Sequence, residues 1–366
     1  MIEIRAWYGR YASLIKLIQL SIFVYCFIFS LELMGTSLKM FGRGFAQTLI
    51  QMTANPFVGL FIGILATSII QSSSSTTSLV VGMVGGGVLE IGSAIPIIMG
   101  ANVGTSITNT LASLPQVNRS SEFARSFSAA VVHDFFNLLA VLILFPIQMM
   151  TNFLGVSAAF MGRHFQDMGG LKFLSPVKAL THPLVDLMRE SIGIHPSILL
   201  IISLFLLLFS LKKMVDSLKA LVATRAEVWF DRYLFSTASR ALLVGLLLTA
   251  IVQSSSITTS LVVPMAGAGI LTLEQIFPYT LGSNMGTTIT AILAALVTGN
   301  LAAITVAFSH LLFNICGIIF WWPLRFIPIH MARRFAEFAV RNKVIPFAYI
   351  AIVFFIIPFI GFYFLR

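Results

Sequence analysis

Gln71-Ser72-Ser73-Ser74-Ser75-Thr76-Thr77-Ser78 and Gln253-Ser254-Ser255-Ser256-Ile257-Thr258-Thr259-Ser260 carry the densest polar chemistry in this 366-residue chain. Each run sits between apolar neighbours, Ile70 and Leu79 in the first, Val252 and Leu261 in the second. A lone serine in an apolar helix usually bonds back to its own helix or packs at a helix contact. Two matched runs need another reason, because polar residues within a membrane are expensive. Each hydroxyl is both donor and acceptor. A run of them also breaks the helix and frees backbone N–H and C=O groups. Two broken tips meeting at the bilayer midplane would surround a polar solute with neutral oxygens, hydroxyl donors and helix N-termini. That suits an oxyanion accompanied by alkali cations.

A second motif follows each run at equal distance. It reads Gly100-Ala101-Asn102-Val103-Gly104-Thr105-Ser106-Ile107-Thr108 and Gly282-Ser283-Asn284-Met285-Gly286-Thr287-Thr288-Ile289-Thr290. Its glycines would let the backbone approach a ligand, and its Asn and Thr oxygens are hard donors fit for Na+; a small-residue packing face is the plainer alternative. Asp134 is one of few carboxylates among apolar residues. It must bind a cation, pair, stay protonated, or sit at a span end facing loop water. Asn137 lies one turn further on the same face. His133 and His310 recur in both halves and read first as hydrogen-bonded packing residues, second as proton-sensitive ligands.

The elements that hold these residues must be membrane helices. Charged residues are 10% of the chain and hydrophobic residues 58%, with a mean hydropathy of +0.96. A water-soluble body could not cover that much apolar surface. The apolar runs are continuous, which excludes a β-barrel. The fold class is therefore an all-α polytopic membrane protein, and the net charge of +10 reads as orienting loop charge rather than as a nucleic-acid surface. Cys26 and Cys316 lie in apolar runs and read as packing thiols. The first run, from about Leu14 to Leu33, is long for a signal-peptide core and is expected to be retained. Further long runs lie near 75–99, 127–150, 192–211, 257–281, 301–323 and 344–365. Shorter pieces near 57–70, 103–114, 241–252 and 287–298 suit half-helices and re-entrant segments.

The chain repeats itself. Residues 60–114 align without a gap on 242–296 at an offset of 182, with about 29 of 55 pairs identical. His133 to Asn137 then fall on His310 to Asn314. Two such copies in a membrane protein point to a transporter built from structural repeats. Loop charges choose their relation. Residues 1–16, 212–240 and 325–343 carry +2, +3 and +4, whereas 163–190 carries about +1. Inverted copies with re-entrant hairpins put the three basic segments inside, although Lys39 and Arg43 then fall outside. The expected organisation is repeat 1 over 1–154 and an irregular external linker over 155–191. Repeat 2 covers 192–323, a cytoplasmic amphipathic segment 324–343, and a final span 344–366. The N-terminus is expected inside and Arg366 outside. Glu32 is expected to snorkel or to pair with Lys39.

These motifs resemble the type II sodium-dependent phosphate cotransporters. The resemblance rests on the duplicated Gln-Ser-Ser-Ser, the motif following it, the stretch Arg125 to Asn137, and His310 to Pro323. It extends over about residues 14–360. It implies an inverted-repeat fold with two re-entrant hairpins and sodium-coupled phosphate uptake across the cell (inner) membrane. It assigns phosphate to Gln71, Ser72, Ser73, Ser74, Gln253, Ser254, Ser255 and Ser256, with Asn102 and Asn284 beside them. It assigns sodium to Thr105, Thr108, Asp134, Asn137, Thr287, Thr288, Thr290 and Asn314. The aspartate at 134 implies electrogenic transport. Na+ is the coupling ion and no other cofactor is expected. The expected partners are phosphate, sodium and the lipid bilayer, with no nucleic acid; monomer and dimer are equally compatible. The short central linker, and an end after the run 344–365, resemble a bacterial member. A sodium-coupled dicarboxylate or sulfate carrier is the alternative in the same class. A channel suits paired occluding hairpins less well than alternating access does. A serine hydrolase built on His133 and Asp134 is disfavoured because adjacent residues face apart on a helix and no nucleophile elbow occurs. No phosphate-binding nucleotide loop supports a pump.

Overall fold

All regular structure in the described residues of the computed structural model, 2–167, 175–191, 193–229 and 235–366, is helical. A chain this apolar has little choice, since a helix satisfies its own backbone where no water can. Among the described residues seven helices are long and apolar enough to cross a bilayer: Leu17–Met40, Ile91–Gln116, Ser120–Thr151, Pro196–Ser217, Leu273–Thr298, Leu301–Trp321 and Val344–Leu365. A further pair, Gly44–Met52 and Pro56–Ile70, is bent by 92° at its break.

Two of the long apolar runs are not single spans. Run 75–99 is helix α4 (Ser73–Gly85), a turn, and the start of α5 (Ile91–Thr105). Run 257–281 is α12 (Ser255–Gly267), a turn, and the start of α13 (Leu273–Thr298). Gly87 and Gly269, both at φ +75°, form the turns. Glycine enters that left-handed region without steric cost, and hydropathy cannot register the bend because both arms are apolar. Consequently the pieces near 103–114 and 287–298 are ends of spanning helices, α5 continued by α6 (Ile107–Ser113) and the unbroken α13, rather than half-helices. The half-length elements are α3 (Pro56–Ile70) and α11 (Ala238–Val252), 15 residues each. At about 1.5 Å per residue they are too short to cross.

Glycines set the packing. A Cβ on Gly63 would lie 1.9 Å from the Ile97 carbonyl oxygen, and one on Gly100 would lie 2.0 Å from that of Leu60. In the second copy, Gly245 meets the Tyr279 carbonyl at 2.1 Å and Gly282 that of Leu242 at 1.9 Å. So α3 lies against α5, and α11 against α13, at backbone contact. The glycines of the second motif serve this contact rather than approach to a ligand, because their missing side chains face neighbouring carbonyls.

The hairpins α3–α4 and α11–α12 reach their tips from opposite ends of α7 (Ser120–Thr151). Phe57, at the start of α3, meets Phe145 with ring centroids 5.1 Å apart. Gly267, at the end of α12, accepts from Arg125 Nε and Nη2 at 2.9 and 2.6 Å. Twenty helical residues, about 30 Å, separate Arg125 from Phe145. Around this centre α14 (Leu301–Trp321) packs on α5 and on α8 (Phe153–Asp167), and α1 (Ile2–Met40) packs along α10 (Pro196–Trp229). Helix α15 (Phe326–Arg341) buries Ala332, Ala336 and Ala339 and leaves Arg333 and Arg334 exposed. It lies on α7, so its apolar face covers protein. The chain ends in α16 (Val344–Ala351), a wider turn at Ile352–Ile356, and α17 (Ile357–Leu365).

Three local expectations need correction. The linker is helical where described, as α8 and α9 (Ser175–Asp186), with Pro183 inside α9. Lys212, Lys213 and Lys219 stand on α10 rather than in a loop, because that helix runs on to Trp229. Glu32 takes a hydrogen bond from Thr181. Gly169, Gly170, Lys172, Asp231 and Arg232 lie outside the described residues.

The glycine contacts make a direct prediction. Gly100→Ala or Gly282→Ala should destabilise the protein by about 3 kcal/mol through overpacking against backbone. The loss is read as a fall in melting temperature and in monodisperse yield. Gly92→Ala on the same α5, with nothing within 4 Å, should instead be neutral or stabilising by about 0.5–1 kcal/mol. Equal effects at all three positions would show that the carbonyl contacts do not matter.

Candidate functional site

The two Gln-Ser-Ser-Ser tips fold alike. Helix α3 ends at Ile70 and Gln71 takes φ 56°, ψ 29°; α11 ends at Val252 and Gln253 takes φ 59°, ψ 24°. Each glutamine N–H closes the last turn at 2.7 Å, on the carbonyls of Thr67 and Thr249. Ser72 and Ser254 then extend to φ −150° and cap the next helix, accepting from the N–H of Ser75 at 3.2 Å and of Ile257 at 3.4 Å. A left-handed glutamine is strained relative to glycine, by about 1 kcal/mol or more, so its side chain must be useful. In the second tip Thr290 Oγ1 donates to Gln253 Oε1 at 2.6 Å, and Gln253 Nε2 donates to the Ala250 carbonyl.

The tips meet each other reciprocally. Ser74 Oγ donates to the Gln253 carbonyl at 3.2 Å, and Ser256 Oγ donates to the Gln71 carbonyl at 3.3 Å. A cavity of about 630 Å³ opens against this junction. Its walls include Gln71, Ser72, Ser74, Gln253, Ser254, Ser256 and Thr108, with Lys212 and Asp216 contributed by α10. The N-termini of α4 and α12 both start at this junction, which favours negative charge. Ser73 and Ser255 are buried beside the cavity but do not line it. The Ser73 carbonyl accepts from Thr77 at 2.8 Å.

A buried network joins the halves behind the tips. Thr259 Oγ1 donates to Asn109 Oδ1 at 2.7 Å, and Asn109 Nδ2 meets His133 Nδ1 at 3.0 Å. His133 Nε2 meets Asn284 Oδ1 at 2.7 Å. Asn284 Nδ2 donates to Asn137 Oδ1 at 2.8 Å, and Asn137 Nδ2 donates to the Asn102 carbonyl at 2.9 Å. The amide orientations place the single ring proton on Nε2. His133 is thus a hydrogen-bonded packing residue, and neither of its nitrogens meets a serine. Asn137 and Asn284 are both taken up by this network.

Asp134 is fully buried in the middle of α7, not at a span end. Thr110 Oγ1 and the Tyr349 hydroxyl both donate to its Oδ2, each at 3.0 Å. Its Oδ1 has no hydrogen-bond partner among the described residues. Other buried oxygens also lack partners among the described residues: Thr67 Oγ1, Ser68 Oγ, Thr108 Oγ1 and Asn314 Oδ1. Hard oxygens of this kind, carboxylate and hydroxyl, suit an alkali cation. Thr105, Thr287 and Thr288 instead bond back to the carbonyls of Ala101, Ser283 and Met285, at 2.8, 3.1 and 2.6 Å. The sequence reading missed Asn109, Thr110, Tyr349, Lys212 and Asp216. The adjacent Asn109-Thr110 in an apolar stretch was a usable signal. Tyr349 had none, since its partner is 215 residues away.

Fold and site together define a polytopic helical membrane protein with paired polar hairpin tips. A sequence profile of the Na+/Pi-cotransporter family matches residues 26–172 and 206–320. The sodium-dependent phosphate transport protein 2B of Homo sapiens is 34% identical over 444 residues, covering 94% of this chain and 64% of that protein. Protein 2A of Mus musculus is 32% identical over 426 residues, covering 94% and 67%. The chain spans about two thirds of the length of these curated relatives. No solved structure matches it. The chain belongs to the Na+/Pi-cotransporter family.

The Asp134 contacts predict a measurable coupling. Tyr349→Phe should lower stability by about 1.5 kcal/mol, the usual worth of a hydrogen bond to a carboxylate. In an Asp134→Ala background the same change should cost much less. Equal losses in both backgrounds would show that Tyr349 acts through packing alone.

Proposed function

We propose that this chain is a secondary active transporter that takes up inorganic phosphate with Na+ by alternating access. The observation that carries the reading is the reciprocal junction of the two tips at the head of the cavity. Phosphate needs several neutral donors and no competing negative charge at its centre. The hydroxyls of Ser72 and Ser254, which only accept within the tips, and the starts of α4 and α12 supply donors, while Ser74 and Ser256 hold the two tips together around them. Ser73 and Ser255 support the same tips from behind. Asn102 and Asn284 are buried behind the tips and do not line the cavity, so they act on phosphate only through the packing of α5 and α13. For sodium, Asp134 and Thr108 present unpartnered oxygens, Thr290 acts through Gln253, and Asn137 stands one turn from Asp134. Asn314 Oδ1 is likewise unpartnered among the described residues, and Thr105, Thr287 and Thr288 donate to backbone carbonyls while their oxygen lone pairs stay open to a cation.

The hairpins entering from opposite ends of α7 support inverted repeats, 1–154 and 192–323. Segment 324–343 is then cytoplasmic and 344–366 the final span. In that frame the N-terminus faces the cytoplasm of a cell membrane, the C-terminus lies outside, and the cavity bordered by Lys212 faces inward. Asp134 has no anionic counterpart, since the second copy carries Leu311. A carboxylate favours an additional Na+ that neutral oxygens hold weakly, so the cycle moves net positive charge inward.

Radiolabelled phosphate uptake into proteoliposomes tests this reading. Uptake should require outside Na+, fail with K+, and be inhibited by excess phosphate but not by sulfate or a dicarboxylate. Equal uptake with K+ would overturn sodium coupling. Asp134→Gly should keep Na+-dependent uptake while losing most of its response to an imposed potential. One net charge is worth roughly 2.3 kcal/mol per 100 mV. Unchanged voltage dependence in Asp134→Gly would remove the electrogenic role.

A further inference from the structure

The two copies carry the same polar residues behind the tips but use them unequally. By the repeat, His133, Asn137 and Asn284 correspond to His310, Asn314 and Asn102. In the first set His133 bonds Asn284, Asn284 bonds Asn137, and Asn137 bonds the backbone of α5. These contacts cross-link α7 to α13 and α5. In the second set every equivalent contact is open. Asn102 Nδ2 turns back to the Ile98 carbonyl at 3.1 Å, and Asn314 Nδ2 turns back to the His310 carbonyl at 3.0 Å, each on its own helix. Both ring nitrogens of His310 and the Oδ1 of Asn314 are buried without a partner among the described residues. His310 is fully buried. The helices that would be joined, α14 and α5, already pack against each other.

Unpaired buried imidazole and amide groups are costly, and few are tolerated in a folded protein. Here the same three residue types are satisfied in one copy and orphaned in the other. A chain with only one conformation would gain nothing from keeping the orphaned set polar. We infer that the two sets are alternative halves of a polar lock. In the described conformation His133–Asn284–Asn137 is closed and His310–Asn102–Asn314 is open. In the opposite-facing conformation the second set closes and the first opens. This rests on the alternating-access reading above, and it names the residues that hold each end state. Asn109 adds a bond to His133 that its counterpart Ala291 cannot make, which biases the chain towards the described conformation.

The repeat also supplies reporters. Ser260 lines the cavity, whereas its equivalent Ser78 is fully buried, its hydroxyl unpartnered among the described residues. If the conformations exchange, Ser78 becomes accessible as Ser260 becomes buried. The experiment uses the full chain in membranes, with its two free cysteines removed as Cys26→Ala and Cys316→Ala. N-ethylmaleimide labelling rates are measured for Ser78→Cys and Ser260→Cys separately, and their ratio reports the equilibrium. His133→Ala should raise the ratio of Ser78→Cys to Ser260→Cys labelling by about fivefold or more, the factor one ordinary buried hydrogen bond makes in a two-state equilibrium. His310→Ala should lower the ratio. Should His133→Ala fail to fold, Asn109→Leu removes one bond of the same set and should shift the ratio in the same direction. Shifts of equal sign at His133 and His310, or no shift at either, would overturn the lock and leave both as packing residues. The labelling needs no phosphate. Opposite shifts without phosphate uptake would therefore keep the lock and discard the cargo, whereas uptake without opposite shifts would do the reverse.

Discussion

A helix that breaks off among apolar neighbours leaves backbone groups without their helical partners, and the fold is organised around that deficit. The carbonyls of Gln71 and Gln253 sit at such breaks. Each is satisfied by a serine of the other tip, Ser256 and Ser74 respectively. Neither hairpin can meet this requirement alone, because the donor belongs to the opposite copy. Irregular backbone at membrane depth is tolerated only where protein or a polar cavity covers it. The tip junction supplies both conditions, and the same arrangement concentrates hydroxyls and helix N-termini at one point.

Holding two tips within hydrogen-bond distance demands rigid arms. The arms are rigid because α3 and α11 touch α5 and α13 at backbone level, through Gly63, Gly100, Gly245 and Gly282. Helices in lipid gain nothing from hiding apolar surface from one another, so close packing has to supply the attraction. The polar contacts play a different part. They cross from one copy to the other, at the tips and through His133, Asn284 and Asn137. Rigid units joined by exchangeable polar contacts are the parts from which rocking-type conformational change is built.

Near-symmetry makes the exceptions informative. Asp134 against Leu311 puts a carboxylate in one copy only, held on one oxygen by Thr110 and Tyr349 and left free on the other. Asn109 against Ala291 extends one polar network and not its counterpart. Both exceptions fall in or beside the first copy's α6–α7 region, while the tips remain matched to within a few degrees of backbone angle. The two halves share the geometry of their tips and differ in the polar residues behind them.

Class, repeat and tips were legible along the chain because each depends on local composition. Continuous apolar runs mean membrane helices, a serine run between them means a broken helix, and a fixed offset of 182 means two copies. Span limits were less legible. Runs 75–99 and 257–281 hide a turn because Gly87 and Gly269 bend the chain by φ alone, between equally apolar arms. The purpose of Gly100 and Gly282 could not be read either. A missing side chain looks the same whether a ligand or another helix fills its place, and only the neighbouring carbonyls distinguish the two. Partners remote in sequence were invisible for the same reason. Tyr349 beside Asp134, Thr259 beside Asn109, and Lys212 at the cavity meet through the packing of whole helices. Pattern along a chain reports what each residue prefers, whereas contact between distant residues depends on how all the helices settle together.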